Sequence, residues 1–268
     1  MKALEQVDAW PARRVSVGVV TANGLLASRG PRDHVFAWAS VTKILTALAT
    51  LVAVEEGVVD LDDPAGPPGS TVRHLLSHAS GLPPDVGAPI AKPGRRRIYS
   101  NLGFEVLAKT VADRAQMPFR HYLRAAVLEP LGLGARLQGS PAFGMEGSLD
   151  DLALVGRELL APTLIAPETL AEATAVAFPG LVGVLPGFGR MEPNDWGLGV
   201  ELKDAKRPHW TGDRNSPRTF GHFGRRGTFV WVDPEAKLAC ACLTNLPFGD
   251  WVKEAWPRLS DAVLVEAP

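Results

Sequence analysis

Ser40-Val41-Thr42-Lys43 leads into Ile44-Leu45-Thr46-Ala47-Leu48-Ala49-Thr50-Leu51-Val52-Ala53-Val54-Glu55-Glu56-Gly57, a run that is apolar or small on nearly every side. This composition predicts a helix that is buried in the protein rather than lying on its surface. Gly57 suits the left-handed residue that ends a helix. Because residues three apart share a helix face, Lys43 should lie one turn from Ser40 and reach its hydroxyl.

A lysine in this position has two physical reasons to lose its proton. Burial disfavours the charged ammonium, and so does the positive end of the helix dipole. A neutral amine beside a serine hydroxyl pairs a general base with a nucleophile. The alternative is that Ser40 only caps the helix and that Lys43 is a surface residue of its first turn. Since S-x-x-K occurs by chance in many chains, further motifs are needed to choose.

Length and charge restrict the possible classes of function. The 268 residues, 46% of them hydrophobic, suit one large domain with a sizeable core. With 28 basic and 29 acidic residues, the net charge is −1, so we expect no nucleic-acid partner. Residues 1–8 lack an apolar signal segment, and no run of about 18 apolar residues predicts a membrane span. These features predict a cytoplasmic protein, and no residue pattern calls for a cofactor.

Two residue pairs have spacings that occur in metal sites. Cys240 and Cys242 would point to the same face of a strand, unfavourably for a disulfide, so we expect free buried thiols in a reducing compartment. A C-x-C metal pair is the alternative, but there is no further cysteine to complete it. His74 and His78 are four apart, yet Leu75 stands where a zinc protease has its glutamate. We therefore predict structural histidines and no metal site.

A basic loop, Lys92-Pro93-Gly94-Arg95-Arg96-Arg97-Ile98, precedes a second candidate motif. A run of like charges is usually solvated, and attraction of an acidic substrate is the alternative. The motif itself is Tyr99-Ser100-Asn101, followed by a predicted helix over 102–115 with spaced apolar residues.

Strands are predicted near both ends of the chain, with helices between them. Residues 15–21 and 25–29 flank an Asn23-Gly24 turn, which indicates a hairpin. Residues 228–232 and 238–244 flank a second turn. The sequence therefore predicts an α/β (α+β) fold, in which helices flank one antiparallel sheet built from both chain termini, with an inserted, mainly helical lobe.

We expect residues 1–268 to form a single domain with two lobes. The sheet lobe is predicted at about 1–59 and 212–268, and the helical lobe at about 60–211. Shorter elements are expected within these limits, namely helices over 2–9, 71–77, 119–128, 149–160, 167–175 and 251–265, and a strand over 196–202.

Three ordered motifs resemble those of the serine β-lactamase and penicillin-binding-protein superfamily, above all its class C β-lactamase, D,D-peptidase and esterase branch. The signatures of that branch are S-x-x-K, Y-x-N and [KH]-x-G. The chain has Ser40-Val41-Thr42-Lys43, Tyr99-Ser100-Asn101 and His222-Phe223-Gly224, in this order. The similarity extends over roughly residues 14 to 262 and implies the fold predicted above. Because the chain is compact for this group, we expect a trimmed helical lobe and a more open pocket.

The resemblance implies a role for each motif residue. Ser40 would be the nucleophile and Lys43 its proton acceptor, while Tyr99 would share the proton transfer and protonate the leaving group. The alternative for Tyr99 is a core tyrosine at a helix entry. Asn101 would contact Lys43 or a substrate amide, or would cap the following helix.

The third motif is implied to bind the reacting carbonyl. The backbone N–H groups of Ser40 and Arg225 would form the oxyanion hole, and Gly224 would let substrate approach the strand closely. His222 stands where the β-lactamases of this branch carry lysine, and a neutral histidine holds a substrate carboxylate less firmly. Arg225 and Arg226 either replace that charge or face solvent.

The resemblance thus implies a serine hydrolase that forms an acyl-enzyme with carboxylic esters or small amides. A D,D-peptidase or weak β-lactamase is one alternative, and a non-catalytic relative that binds a ligand is another. Since a cell-wall peptidase requires export and no signal segment is visible, an intracellular esterase or amidase is favoured. The expected partner is a small-molecule substrate, and the oligomeric state stays open.

Overall fold

A six-stranded antiparallel sheet lies at the centre of the structure, a computed structural model that describes residues 1–267. Within these residues the strands are β1 (Val15–Thr21), β2 (Gly24–Arg29), β3 (Phe36–Ala37), β4 (Arg136–Leu137), β5 (Met145–Gly147), β6 (Gly183–Leu185), β7 (Gly189–Met191), β8 (Glu201–Leu202), β9 (Phe220–Gly224), β10 (Thr228–Asp233) and β11 (Leu238–Thr244). The order in the central sheet is β2-β1-β11-β10-β9-β8. Strands from both ends of the chain therefore meet at the β1–β11 pair, and the predicted fold class is confirmed.

Helices cover both faces of the sheet. They are α1 (Thr42–Glu55), α2 (Val72–Leu76), α3 (Asn101–Ala115), α4 (Phe119–Leu123), α5 (Leu149–Leu160), α6 (Pro167–Ala173) and α7 (Val252–Glu266). A 3₁₀ helix, Lys2–Ala9, accounts for the first predicted helix. The predicted helix over 119–128 is α4 continued by a π-helical turn at Arg124–Leu128. None of the helices in the described residues has the length and apolar character that crossing a bilayer requires.

Alternation along the strands divides the apolar side chains between two cores. Cys240 and Cys242 on β11 face the core that holds α7, and they lie beside Phe229 and Trp231 of β10. Ala241, between the two cysteines, faces the opposite core, which holds α1 and α5. Both thiols are unpaired and fully buried, and burial raises the pKa of each. They act as small apolar side chains in this sheet.

The helix α1 is buried along nearly its whole length, as its composition predicts. Every residue from Thr42 to Ala53 is buried, and Gly57 has a left-handed φ of +71° just beyond the end of the helix. Ser40 lies in a 3₁₀ turn, Ala39–Val41, that precedes α1. Its side chain makes no capping bond, so the alternative that Ser40 is only a helix cap is wrong.

Two elements of the predicted helical lobe, residues 60–211, contact the six-stranded sheet: β8 is one of its strands, and α5 packs on its face. The edge strand β8 covers only the last two residues of the strand predicted over 196–202, and it pairs with β9. The helix α5 packs so closely that a Cβ atom added at Gly156 would come within 3.3 Å of the Ala239 Cβ on β11. The division of the chain into two lobes stays a prediction.

The basic loop differs from the expected solvated run at one residue. Arg97 is only 2% exposed, and its guanidinium donates to the carbonyls of Asn194 at 3.0 Å and Ala177 at 2.7 Å. It also donates to Ser77 O at 2.5 Å. Arg95 and Arg96 are exposed. Arg97 therefore ties together the segments that end near Ser77, Ala177 and Asn194, because its guanidinium donates to a buried carbonyl in each of them.

Candidate active site

The turn that carries Ser40 is held in a strained conformation against the sheet. Ala39 has a φ of +49°, which is uncommon for a residue with a Cβ atom. Thr228 Oγ1 donates to Trp38 O at 2.8 Å, and a Cβ atom added at Gly224 would lie 2.7 Å from that carbonyl. The missing side chain of Gly224 therefore makes room for the Ser40 turn. The expected approach of substrate to this strand at Gly224 stays a prediction.

The side chain of Lys43 is fully buried and bonded to two acceptors. Its Nζ donates to Asn101 Oδ1 at 2.7 Å and to Ala142 O at 2.9 Å. A neutral amine has two N–H groups and one lone pair, and these acceptors match both N–H groups. The lone pair is then left to accept a proton from a third direction. The alternative of Lys43 as a surface residue is wrong.

The environment of Lys43 favours the neutral amine. Burial lowers its pKa well below the value of free lysine, and the carboxylates of Asp85 and Glu105 oppose this shift only in part. The amine also lies 4.7 Å from the centroid of the Tyr99 ring and 5.4 Å from that of Phe104. These cation–π contacts favour the ammonium, but without a directly bonded carboxylate the cost of burying the charge is larger, so the proton is easily lost.

Tyr99 is placed between the first and third motifs. Its hydroxyl is buried and has no hydrogen-bond partner of ordinary geometry in residues 1–267. Burial raises the pKa of Tyr99 above its usual value, while interaction with the Ser40 hydroxyl lowers it in part. The phenol is therefore neutral when Lys43 is already deprotonated. The directions of the two shifts therefore favour a neutral amine over a phenolate as the group that is able to accept a proton.

Asn101 connects Lys43 to the loop before the second motif. Its Oδ1 accepts from Lys43, and its Nδ2 donates to Asp85 Oδ1 at 2.8 Å. The cap of α3 is Ser100, whose Oγ accepts from the Gly103 N–H at 2.9 Å. The alternative that Asn101 caps this helix is therefore wrong, and its amide binds Lys43 and Asp85 instead.

His222 lies on β9 and is 2% exposed. Its Nδ1 is 2.8 Å from Phe223 O, an acceptor, so Nδ1 carries the hydrogen and Nε2 is a bare acceptor without a partner among residues 1–267. Burial, aided by the charge of Lys43, lowers the pKa of His222 to about 3. At neutral pH this residue has no positive charge to offer a substrate carboxylate.

A cavity of about 290 Å³ joins residues of all three motifs. Its lining consists of Ser40, Tyr99, Asn101, Pro186, Gly187, Trp196, His222, Phe223, Arg225 and Phe248. The Arg225 side chain is exposed, so its charge lies at the rim and not inside. A larger groove of about 630 Å³ lies elsewhere, against α6, and its lining includes none of the motif residues. The motif residues thus converge on the smaller cavity.

Three contributors to this site carry no motif that the sequence analysis could use. Trp196 is 1% exposed and comes from the Gly-, Pro- and Trp-rich segment over 178–220. Phe248 follows β11 and stacks on Phe223 with ring centroids 5.6 Å apart. Asp85 follows a Pro-Pro pair in a loop. The tryptophan content of the segment was the one available signal, since buried aromatic side chains often line ligand sites.

Both histidines of the helix α2 region pack against aromatic rings. His78 Nδ1 accepts from the Ser100 N–H at 3.1 Å, and its ring lies 4.6 Å from the Tyr99 ring and 4.8 Å from the Trp196 ring. His74 stacks on Phe178 with centroids 4.1 Å apart. His78 therefore packs against the Tyr99 ring and holds the backbone of the second motif through its hydrogen bond to Ser100.

Comparison with known proteins identifies the family. Residues 13–135 and 133–264 match the sequence profile of the Beta-lactamase family. Over 138 residues the chain is 28% identical to AmpH of Escherichia coli, a D-alanyl-D-alanine-carboxypeptidase/endopeptidase. That alignment covers 38% of this chain and 36% of AmpH, so it spans about a third of the relative's length.

Solved structures share the fold over the whole chain. A structure from Mycobacterium bovis described as a β-lactamase is 53% identical, with a TM-score of 0.98 and 99% of both chains covered. EstCE1, described as a hydrolase with promiscuous acyltransferase activity, is 18% identical with a TM-score of 0.79, covering 98% of this chain and 97% of its own. That lower identity supports the fold alone. This chain belongs to the Beta-lactamase family, within the serine β-lactamase and penicillin-binding-protein superfamily whose three motifs it carries.

Proposed function

We propose that this protein is a serine hydrolase that cleaves small, uncharged carboxylic esters through an acyl-enzyme on Ser40. One observation carries the proposal: the buried Lys43 amine has acceptors for both N–H groups of its neutral form and lies one turn from Ser40. A perturbed amine of this kind is typical of a general base. A non-catalytic relative would gain nothing from a buried amine and a buried Tyr99 hydroxyl at one cavity.

The reaction follows from this arrangement. Lys43 accepts the Ser40 proton as the hydroxyl oxygen attacks the ester carbonyl, and the backbone N–H groups of Ser40 and Arg225 stabilise the oxyanion. Collapse of this intermediate breaks the C–O bond to the alcohol, which receives a proton from the Lys43 ammonium through Tyr99. Water then attacks the acyl-enzyme while Lys43 accepts its proton. The bond between Ser40 Oγ and the acyl carbon breaks, Ser40 takes the proton back from Lys43, and the free acid leaves. Small amides follow the same route with a poorer leaving group.

The proposed substrate class rests on charge and lining. His222 and Tyr99 are neutral at physiological pH, and the walls of the cavity include Trp196, Phe223 and Phe248. A site of this kind favours an apolar acyl group. A substrate carboxylate would lose its hydrating water on entering the cavity and would find no cation there to compensate for that loss. A volume of about 290 Å³ limits the acyl group to a few carbons or one ring.

We expect kcat/KM for nitrophenyl acetate or butyrate to exceed kcat/KM for the cephalosporin nitrocefin by about two orders of magnitude or more. The physical reason is that His222 cannot pair with the carboxylate of a β-lactam. Both rates are measured by absorbance on one enzyme preparation at pH 7 to 8, with the Ser40→Ala variant as the blank.

Efficient nitrocefin hydrolysis at low enzyme concentration would contradict this substrate class. The M. bovis structure is described as a β-lactamase, so this alternative has a specific observation behind it. Release of D-alanine from a D-alanyl-D-alanine peptide would instead favour the activity for which AmpH is named. Each outcome keeps Ser40 as the nucleophile and changes only the acyl group.

The apolar wall also predicts the effect of enlarging the cavity. A Cβ atom added at Gly187 would lie 2.5 Å from the Phe248 ring, so the ring packs directly against the Gly187 backbone and no gap separates these two lining residues. Phe248→Ala should raise the ratio of octanoate to acetate turnover about tenfold or more, since each buried methylene contributes about 0.8 kcal/mol. The ratio of kcat/KM values is measured across a nitrophenyl ester series.

Phe143→Ala provides a matched control, because Phe143 is 44% exposed and does not line the cavity. An unchanged chain-length profile in Phe248→Ala, with a normal melting temperature, would show that the acyl group binds elsewhere.

A further inference from the structure

A chain of hydrogen bonds runs from the base outward to a carboxylate that belongs to none of the three motifs. Lys43 Nζ donates to Asn101 Oδ1 at 2.7 Å, and Asn101 Nδ2 donates to Asp85 Oδ1 at 2.8 Å. A carboxylate only accepts hydrogen bonds, so Asp85 can pair with the NH₂ end of the amide and not with its oxygen. The orientation of the Asn101 amide is thereby fixed.

The loop that carries Asp85 is tied firmly to the start of α3. Ser100 Oγ donates to Pro83 O at 2.6 Å, and the Asn101 N–H donates to Pro84 O at 2.6 Å. Two consecutive prolines restrict the backbone before Asp85. The Asp85 side chain is exposed at its outer edge, yet its place relative to Asn101 is set by backbone contacts.

We propose that Asp85 is a positioning residue of the Ser40–Lys43 pair, acting through the Asn101 amide. With Asn101 Oδ1 held toward Lys43, that oxygen and Ala142 O take both N–H groups of the neutral amine. The lone pair of Lys43 then remains for the Ser40 proton. If the amide were reversed, its NH₂ group would compete with Ser40 for that lone pair. This inference rests on the proposed role of Lys43 as the base.

Asp85 also contributes a negative charge to the site. The titratable groups that face Lys43 are Asp85, Glu105, Tyr99, His78 and His222. His78 and His222 are neutral, because burial lowers the pKa of each. Asp85 and Glu105 are the two anions, and both act to raise the pKa of Lys43 against the larger effect of burial. Removing the Asp85 charge should therefore make Lys43 lose its proton at a lower pH.

Two substitutions separate the hydrogen bond from the charge. Asp85→Asn keeps an oxygen that accepts from Asn101 and loses only the charge, whereas Asp85→Ala loses both. We expect the acidic limb of the pH profile of Asp85→Asn to move toward lower pH by on the order of half a unit. Its kcat on the plateau should stay within about threefold of the wild-type value. Asp85→Ala should lose about tenfold in plateau kcat with little change in KM, because an unheld amide misorients the base.

The decisive measurement does not depend on turnover. The titration midpoint of the Lys43 amine is followed by NMR of protein carrying lysine labelled with ¹³C at Cε, and Lys43→Arg identifies the signal. Asp113→Asn is the matched control, since Asp113 is an exposed aspartate that pairs with Lys109 at 2.6 Å and belongs to none of the groups that face Lys43. The inference predicts a lower midpoint in Asp85→Asn and an unchanged midpoint in Asp113→Asn.

The same midpoint in Asp85→Asn and the wild type, with equal plateau kcat in Asp85→Ala, would overturn the inference. Ester hydrolysis by the wild type would then still support the proposed function. If ester hydrolysis is missing while the midpoint moves as predicted, the proposed function fails and the link between Asp85 and Lys43 stands.

Discussion

Ser40→Ala should reduce ester hydrolysis about 10⁴-fold or more, leaving only the small residual acceleration that the oxyanion hole and substrate binding supply. Among the residues that line the cavity, Ser40 is the one serine, and it lies one turn from the buried Lys43 amine. The loss should be in kcat, because the apolar walls and the backbone N–H groups that bind the substrate stay in place. Nitrophenyl butyrate hydrolysis and intact-mass labelling by a fluorophosphonate measure it.

The folded state of Ser40→Ala should be nearly unchanged. Ser40 is half-buried, and its side chain makes no capping bond to α1. We therefore expect a change in the free energy of unfolding within about 0.5 kcal/mol. Ser28→Ala, on an exposed part of β2, is the matched control and should keep full activity. Labelling by the fluorophosphonate that persists in Ser40→Ala would move the nucleophile to another residue.

The parts of the fold that the sequence predicted are those with a strong local pattern. The run after Ser40 is apolar on nearly every side, which is typical of a buried helix, and the bounds of α1 nearly coincide with this run. The strands at the two ends alternate or run apolar for five residues or more, and they form the sheet. The two-residue strands β3 and β4 carry no pattern of that length, because their pairing with β5 is set by tertiary contacts.

The site was predictable where chemistry restricts the residue type. The motif residues Ser40, Tyr99 and His222 meet at one cavity, as the resemblance implies. The sequence does not predict the contact of Asp85 with Asn101 or the burial of Arg97, because a charged residue in a Pro- or Gly-rich loop is usually solvated. Their partners are an amide and carbonyls distant in sequence, so only the folded chain reveals them.

Lys43→Arg tests the physics of the base most directly. Arginine keeps the positive charge but does not lose its proton in a protein, so it cannot accept the Ser40 proton. We expect a loss of about a thousandfold or more in kcat/KM, since the base is removed while the oxyanion hole and the cavity remain. Because the larger guanidinium is also buried, Lys43→Met serves as a second variant that removes the base without burying a charge.

The pH profile connects this loss to the environment of Lys43. Burial lowers the pKa of Lys43, so the neutral, active form should appear well below the pH at which free lysine deprotonates. Activity of the wild type should therefore rise with pH along an acidic limb and reach a plateau in the neutral to mildly alkaline range. Tyr99→Phe should lose less than Lys43→Arg, because burial raises the pKa of Tyr99 and keeps the phenol protonated.

These two variants also decide whether the base acts alone. Equal losses in Tyr99→Phe and Lys43→Arg would mean that phenol and amine move the proton as one unit, with a shared titration. Melting temperatures close to that of the wild type must accompany either result, so that lost activity reflects lost proton transfer. A folded Lys43→Arg enzyme with near-wild-type kcat/KM would mean that the Ser40 proton goes to another group. The mechanism built on the S-x-x-K motif would then be wrong for this chain.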